Sequence, residues 1–337
     1  MKLTALLVCM GMLGSASAQT GAILTAAGYS APAPLQIAPG QVTTFFFRGI
    51  APFWDGQLRS AQATTVPLPT TLAGLSLRIA QGQAPAVAVP VFAVRQEDDC
   101  DATRSLSSAC LLTTVKLQIP FEIVAPAPHS AGAGPPTPAP PPAPLAQLMI
   151  DVDGQAGRVF PLQPVPDNAH VLTSCDISWD TKYTSVCDRH AYHANGHPVS
   201  EAEPAKLGET VVVYVYGLGQ LSAPVPTGDV SPVGTPLIDP GSVKASFNNF
   251  VNSLSSTPRF VGSDEAPIPG SPIVFSPIAF GGLTPGQIGM YQLNTPVPQS
   301  LELAGPCGGL NGFIQANATL RISTSQGTEI LAMCVQP

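Results

Sequence analysis

The chain is written in a period of two. From Val115 to Ile123 the apolar residues Val115, Leu117, Ile119, Phe121 and Ile123 alternate with Lys116, Gln118, Pro120 and Glu122, the pattern of a half-buried strand. Leu75, Leu77 and Ile79 repeat it with Ser76 and Arg78 outward, and Leu148, Ile150 and Val152 repeat it before the turn dipeptide Asp153-Gly154. Leu320, Ile322 and Thr324 alternate with Thr319, Arg321 and Ser323 ahead of Gln326-Gly327. Gln41–Phe47 and Thr210–Tyr216 are instead continuous β-branched and aromatic runs, which suit strands covered on both faces. Helical periodicity is nearly absent. Short strands separated by Pro/Gly turns predict antiparallel sandwiches.

The pattern also repeats. "LQIAPGQVTTFFFRGI" and "PAKLGETVVVYVYGLG" share the order Pro, Gly, strand, Gly. Each is followed by a strand near a proline (Pro120 or Pro296) and then by a closing hairpin, "LMIDVDGQAGRVFPL" or "ATLRISTSQGTEILAMCV". On this alignment the Pro-rich segment 125–144, "APAPHSAGAGPPTPAPPPAP", is an extended, solvated insertion between the last strands of the first unit. The expected division is a first sandwich over 19–165, a disulfide-pinned connecting loop over 166–206, and a second sandwich over 207–337.

Composition narrows the function classes. Of 337 residues 45% are hydrophobic and only 10% charged, against about 25% charged in an average soluble domain. Pro (38) and Gly (31) are abundant, but with 13 Phe and many aliphatic residues the chain can bury a core, which argues against wholesale disorder. A net charge of −7 argues against nucleic acid or an anionic membrane as partner. Lys2, the apolar run Leu6–Leu13 and Ala16-Ser17-Ala18 form a secretory signal, with cleavage expected after Ala18. No later stretch is long and apolar enough for a membrane helix.

Cys9 leaves with the signal. The remaining six cysteines, Cys100, Cys110, Cys175, Cys187, Cys307 and Cys334, suggest three structural disulfides in an exported chain. Six cysteines allow about 15 pairings; proximity favours Cys100–Cys110, Cys175–Cys187 and Cys307–Cys334, each contributing about 2.7–3.5 kcal/mol through loop entropy.

The run "EPAKLGETVVVYVYGLG" and the segment "GGLTPGQIGMYQLNTPVP" resemble an uncharacterised family of bacterial secreted proteins. The matching positions are Pro204, Ala205, Gly208, Glu209, Thr210, Gly217, Leu218 and Gly219, then Gly282, Leu283, Pro285, Gly286, Gly289, Tyr291, Gln292, Asn294, Val297 and Pro298. The resemblance covers 204–298 closely, 299–337 more loosely, and the first unit faintly. It departs at the closing hairpin, where Ser325-Gln326-Gly327-Thr328 replaces Gly-Gly-Val-x-Ser, and in the cysteines and the Pro-rich insertion. It implies an immunoglobulin-like, IPT/TIG-type β-sandwich and no catalytic residues. The expected fold is therefore all-β: two immunoglobulin-like antiparallel β-sandwich domains with a Pro-rich insertion.

Candidate chemistry concentrates in "CDRHAYHANGH", which holds Cys187, Asp188, His190, His193 and His197. The spacing His-x2-His-x3-His suits zinc or copper on a helix, whereas Asn195-Gly196 and Pro198 argue for a disulfide-pinned surface loop with a tight turn. Asp151 and Asp153 hint at a calcium loop but lack its later ligands and fit a hairpin turn, and the "EDDCD" run (Glu97–Asp101) sets four carboxylates around Cys100, as a calcium site or as a solvated acidic loop leading into the Cys100–Cys110 staple. Asn317-Ala318-Thr319 is an N-glycosylation sequon. Gly-x-Ser-x-Gly, Ser-x-x-Lys and His-Glu-x-x-His are all absent from the sequence. The expectation is a non-catalytic, secreted or cell-envelope interaction module without cofactor, meeting an extracellular protein or surface polymer. A metal-binding protein using His190, His193 and His197, and a secreted hydrolase with an unfamiliar site, are the alternatives.

Overall fold

The computed structural model describes residues 23–25, 34–52, 56–98, 111–126, 144–173, 176, 189–233, 240–253 and 273–336. The signal segment, most of the Pro-rich insertion, and Cys100, Cys110, Cys175, Cys187 and Asp188 lie outside the described residues.

The first unit comprises β1 (Ile23–Thr25), β2 (Leu35–Ile37), β3 (Val42–Arg48), β4 (Ser60–Gln62), β5 (Thr71–Leu72), β6 (Leu75–Gln81), β7 (Val87–Ala88), β8 (Val91–Asp98), β9 (Leu111–Gln118), β10 (Ala146–Val152) and β11 (Gln155–Pro164). One sheet runs β1-β3-β9-β8-β4 and the other β2-β11-β10-β6-β5, with β7 also beside β6. The second unit comprises β12 (His170–Val171), β13 (Ala205–Lys206), β14 (Thr210–Tyr216), β15 (Lys244–Asn248), β16 (Val274–Ser276), β17 (Phe280–Leu283), β18 (Met290–Pro296), β19 (Ala318–Thr324), β20 (Gly327–Met333) and β21 (Val335–Gln336). Its sheets run β12-β14-β18-β17 and β16-β15-β19-β20, with β13 parallel to β21.

Lettered A to G along the chain, the second unit has A-B-E-D in one sheet and C′-C-F-G in the other. That is the immunoglobulin arrangement with an added C′ strand. The first unit follows the same scheme: β1-β3-β9-β8 is A-B-E-D and β7-β6-β10-β11 is C′-C-F-G, while β2, like β13, lies parallel to the last strand. Two separate apolar cores result, one built on Phe45, Phe47, Leu77 and Leu148, the other on Val213, Phe247, Tyr291 and Leu320. Residues of 166–206 contribute Ala169, Val171, Ala191, Val199 and Ala205 to the second core.

The repeat extends to single hydrogen bonds. Gln41 Oε1 accepts from the Ala38 N–H at 2.7 Å, and Glu209 Oε2 from the Lys206 N–H at 2.8 Å. Ile119 N donates to Gln41 O and Val297 N to Glu209 O at 2.7 and 2.8 Å. Gly40 and Gly208, both with positive φ, donate to Ile119 O and Val297 O. The insertion therefore falls between strands E and F of the first unit.

The strand pattern over 115–123 is only partly realised. β9 ends at Gln118, because Pro120 has no N–H for the ladder, and Ile123 N turns back to Pro120 O at 3.3 Å. Ile123 stays in the first core, but Phe121 swings onto the core of the second unit.

That swing begins the junction between the sandwiches. The Phe121 N–H donates to Thr227 Oγ1 at 3.1 Å, Gly228 N–H to Gln118 Oε1 at 2.7 Å, and Leu68 N–H to Gly228 O at 2.8 Å. Backbone approaches side chain so closely that only glycine fits. A Cβ on Gly40 would fall 2.1 Å from the Phe121 ring, and one on Gly289 would lie 2.6 Å from Val42 Cγ2 and 2.9 Å from Gly40 O. Lys116 of β9 crosses to the second unit, donating to Asp176 O at 2.9 Å with the Phe92 and Tyr216 ring centroids each 5.8 Å away. Burial lowers the Lys116 pKa, and the Asp176 carboxylate partly offsets this.

Gly286 and Gly289 share one loop and both have positive φ, but a Cβ at Gly286 meets nothing within 4 Å. In urea denaturation, Gly286→Ala is expected to cost only the left-handed strain, about 1 kcal/mol. Gly289→Ala adds the steric conflict, for about 3 kcal/mol in all. Equal costs would contradict the tight junction.

Candidate functional site

The histidine run forms a tight hairpin. Val199 N donates to Ala191 O, His193 N to His197 O and Gly196 N to His193 O at 2.8–2.9 Å, and Asn195 Oδ1 accepts from the His197 N–H at 3.0 Å. Its base is pinned by Arg189, whose Nη2 lies 2.7 Å from Glu329 Oε2 with both side chains at most 2% exposed. Breaking such a buried pair costs about 3–5 kcal/mol.

The three histidines do not converge. His190 packs its ring edge-on to Tyr192, with centroids 6.3 Å apart. His197 is exposed, with Nδ1 3.2 Å from Glu203 Oε2. His193 is buried, with Nδ1 2.5 Å from Glu209 Oε1 and Nε2 3.0 Å from Glu203 O. Both partners accept hydrogen bonds, so both ring nitrogens donate and the ring is held as an imidazolium. Burial opposes that charge, but the Glu209 carboxylate and the Glu203 carbonyl outweigh it and raise the His193 pKa. Among the described residues no three His, Cys, Asp or Glu side chains gather in a metal-holding arrangement.

The other candidates that fall among the described residues are occupied structurally, while Asp99 and Asp101 lie outside them. Asp151 pairs with Arg78 at 2.9 Å. Asp153 accepts both forks of the fully buried Arg59, at 2.9 and 2.6 Å, in a two-residue turn with positive φ at Asp153 and Gly154. These carboxylates close a hairpin rather than a calcium loop. Glu97 pairs with Arg95 at 3.2 Å. Asn317 of the sequon is wholly buried: Nδ2 donates to Gly305 O and Val335 O at 2.7 and 2.8 Å, and Oδ1 accepts from Val335 N–H at 2.8 Å. In the folded chain that amide is a structural strut.

The exposed feature at this end of the second sandwich is the loop between β18 and β19. Cys307 is disulfide-bonded to Cys334, between β20 and β21. Asn252, following β15, clamps the loop from the other side: its Oδ1 accepts from Gln315 N–H at 2.7 Å and Ala316 N–H at 3.1 Å, and its Nδ2 donates to Phe313 O at 2.7 Å. Gly308 N donates to Ile314 O, Ile314 N to Gly309 O and Gly312 N to Gly308 O, closing the loop on itself at 2.8–3.2 Å. The helical turn Gly309–Gly312 is left-handed at Leu310 (φ 52°, ψ 47°) and Asn311 (φ 59°, ψ 39°). Ile314 points inward at 3% exposure, whereas Leu310 and Phe313 are 74% and 68% exposed.

A left-handed residue other than Gly costs about 1–2 kcal/mol. Leu310, with most of its side chain in solvent, gains little packing in return. Phe275, on the edge strand β16, is 72% exposed. From Ala266 to Leu320 the sequence holds one charged residue, Glu302, while Lys244 and Arg321 share the outward face of the sheet with Phe275. Glu201 of the histidine hairpin lies beside the loop, where a Cβ on Gly308 would come within 2.5 Å of its Oε1. The Gly308-Gly309-Leu310-Asn311-Gly312 run carried the signal for this left-handed turn. The clamp by Asn252 had none.

No known family model matches the chain, and no curated protein matches it. Among solved structures it is similar to the adhesin InvE of Yersinia pseudotuberculosis, at 12% identity over 94% of this chain and 59% of that one, with a TM-score of 0.18. The chain thus spans about three-fifths of that structure's length. A TM-score that low fixes neither fold nor function.

The His193 contacts set a pH dependence. The raised His193 pKa contributes stability fully below its ordinary value of 6.5, lost as pH rises through the raised value. Burial raises the Glu209 pKa, but the Lys206 N–H and His193 outweigh it; its net lowered pKa contributes stability above the ordinary 4.5, lost as pH falls through the lowered value. His193→Gln is expected to cost about 2 kcal/mol between those ordinary values and progressively less in alkaline buffer. A cost independent of pH in denaturant titrations would contradict the imidazolium.

Proposed function

We propose that the protein is an exported, non-catalytic interaction module that presents the free end of its second sandwich to a partner outside the cell. One observation carries this reading: Leu310 is held in a strained left-handed conformation with most of its side chain in solvent, an arrangement that costs stability and gains little packing. Covering Leu310 and Phe313 together supplies about 3–6 kcal/mol gross. Because the disulfide and Asn252 already fix the loop, little ordering cost is subtracted.

The resemblance of residues 204–298 to secreted IPT/TIG-type modules, the signal-like leader and the exported-type cysteine content support the same reading. Among the described residues no helix is long and apolar enough to cross a membrane. His193 offers no basic nitrogen, since Glu209 and Glu203 take both of its N–H groups.

The test is saturable binding of labelled protein to washed cell envelopes. The Leu310→Ser/Phe313→Ser variant is expected to keep its Tm and to bind at least tenfold more weakly. Leu310→Asn relieves strain and is expected to raise stability by about 0.5–1 kcal/mol while weakening binding. Unchanged binding in the double variant, or no saturable binding by the wild type, would contradict the proposal.

A further inference from the structure

We infer that the Cys307–Cys334 disulfide is a redox switch for the display loop: oxidised, it holds residues 306–312 in the presented conformation, and a dithiol reductant releases them. The inference rests on the interaction reading above and assigns a regulation to the same surface. The left-handed stretch is longer than Leu310 alone. Gly308, Leu310, Asn311 and Gly312 have φ of 75°, 52°, 59° and 82°, whereas left-handed backbone ordinarily occurs as single residues rather than runs. Such a turn persists only while its surroundings hold it there.

The two sides of the turn are held differently. On the C-terminal side Asn252 donates to Phe313 O and accepts from the Gln315 and Ala316 N–H groups, and Ile314 is buried. On the N-terminal side, among the described residues, the hydrogen bonds of 306–312 all run within 306–314: Gly308 N to Ile314 O, Gly309 N to Pro306 O and Gly312 N to Gly308 O. The disulfide is therefore what ties this stretch across to the chain between β20 and β21. The sandwich itself does not depend on it. Buried Asn317 already joins the root of the loop to the last strand, donating to Gly305 O and Val335 O and accepting from Val335 N–H. The β19–β20 ladder also runs unbroken from Ala318 and Met333 to Thr324 and Gly327.

The pair is disposed for exchange. Cys307 is partly exposed, whereas Cys334 is 3% exposed. One thiolate of the dithiol attacks Cys307 Sγ, the S–S bond breaks and Cys334 leaves. The second thiolate then displaces Cys307 from the mixed disulfide, so the reductant ends as its own disulfide and its two protons end on Cys307 and Cys334. Cys334 Sγ lies 3.1 Å from Gln315 O, so the new thiol finds an acceptor in place. Reduction frees 306–312 to leave the left-handed region. The fraction of protein that presents Leu310 as the partner meets it falls, and the apparent affinity weakens in proportion.

Treatment of the full chain with dithiothreitol in native buffer, followed by alkylation and peptide mapping, tests this, with hydrogen exchange and envelope binding measured on the same samples. Cys307 and Cys334 are expected to become alkylated while near-ultraviolet circular dichroism shows the sandwiches still folded. The amides of Gly308, Gly309 and Gly312 then exchange at least tenfold faster, and those of Gln315 and Ala316 stay slow. Envelope binding weakens at least tenfold, and reoxidation before alkylation restores it. Cys307→Ser/Cys334→Ser without reductant is expected to show the same weakening, which separates this disulfide from the other cysteines. Alkylation of the pair only on unfolding, or unchanged exchange or unchanged binding after reduction, overturns the inference. If the oxidised protein binds through Leu310 and Phe313 and the serine variant binds as tightly, the switch falls and the interaction reading stands. If oxidised binding is insensitive to Leu310 and Phe313, both fall.

Discussion

The close approach of backbone to side chain at the junction of the two sandwiches constrains everything else. Gly40 leaves room for the Phe121 ring, Gly289 lets the second sandwich settle onto Val42 and Gln118, and Gly228 joins Gln118 to Leu68. None of these is a strong interaction alone. Their force is negative: any side chain at Gly40 or Gly289 would push the units apart and strand the buried polar groups of Gln118 and Lys116, for which unpaired burial is costly. Phe121 reaches the second core only because Pro120 ends the first unit's ladder one step earlier. One end of each sandwich is therefore committed to the other, and the far end of the second carries the disulfide-clamped loop.

The equivalence of the two units makes that contrast legible. The turn that enters strand B and the segment that leaves strand E are the same in both, to the hydrogen bonds of Gln41 and Glu209. In the first unit Gln41 and Phe121 occupy the junction. In the second, Glu209 holds His193, Gln299 stands in the place of Phe121 against Gly208, and the segment after strand E lengthens into the disulfide-clamped loop. One scaffold position has been turned inward for assembly and the other outward.

The sequence showed the strands, the sandwich class and the repeat, because period-two alternation and Pro/Gly punctuation are local signals. It also placed the hairpins at Asp153-Gly154 and Asn195-Gly196, where turn chemistry is local. It overextended the strand through Pro120, since Phe121 and Ile123 keep the alternation while serving different cores. The histidines drew attention through spacing, but their partners Glu203 and Glu209 answer to tertiary packing. The exposed tip was least legible: a Leu and a Phe read as core in any pattern argument, and only the left-handed backbone together with the Asn252 clamp, 60 or so residues away, shows them held outward.

Stability and the proposed display thus depend on the same thing, a body rigid enough to fix a strained loop. Hydrogen–deuterium exchange of the oxidised protein, resolved to peptides, tests that rigidity most directly. Slow exchange is expected both at the junction amides of Gly40, Leu68, Phe121 and Gly228 and at the loop amides of Gly308, Gly312, Gln315 and Ala316, all of which are hydrogen-bonded. Exchange of the 308–316 peptide at the rate of an unstructured chain would contradict it.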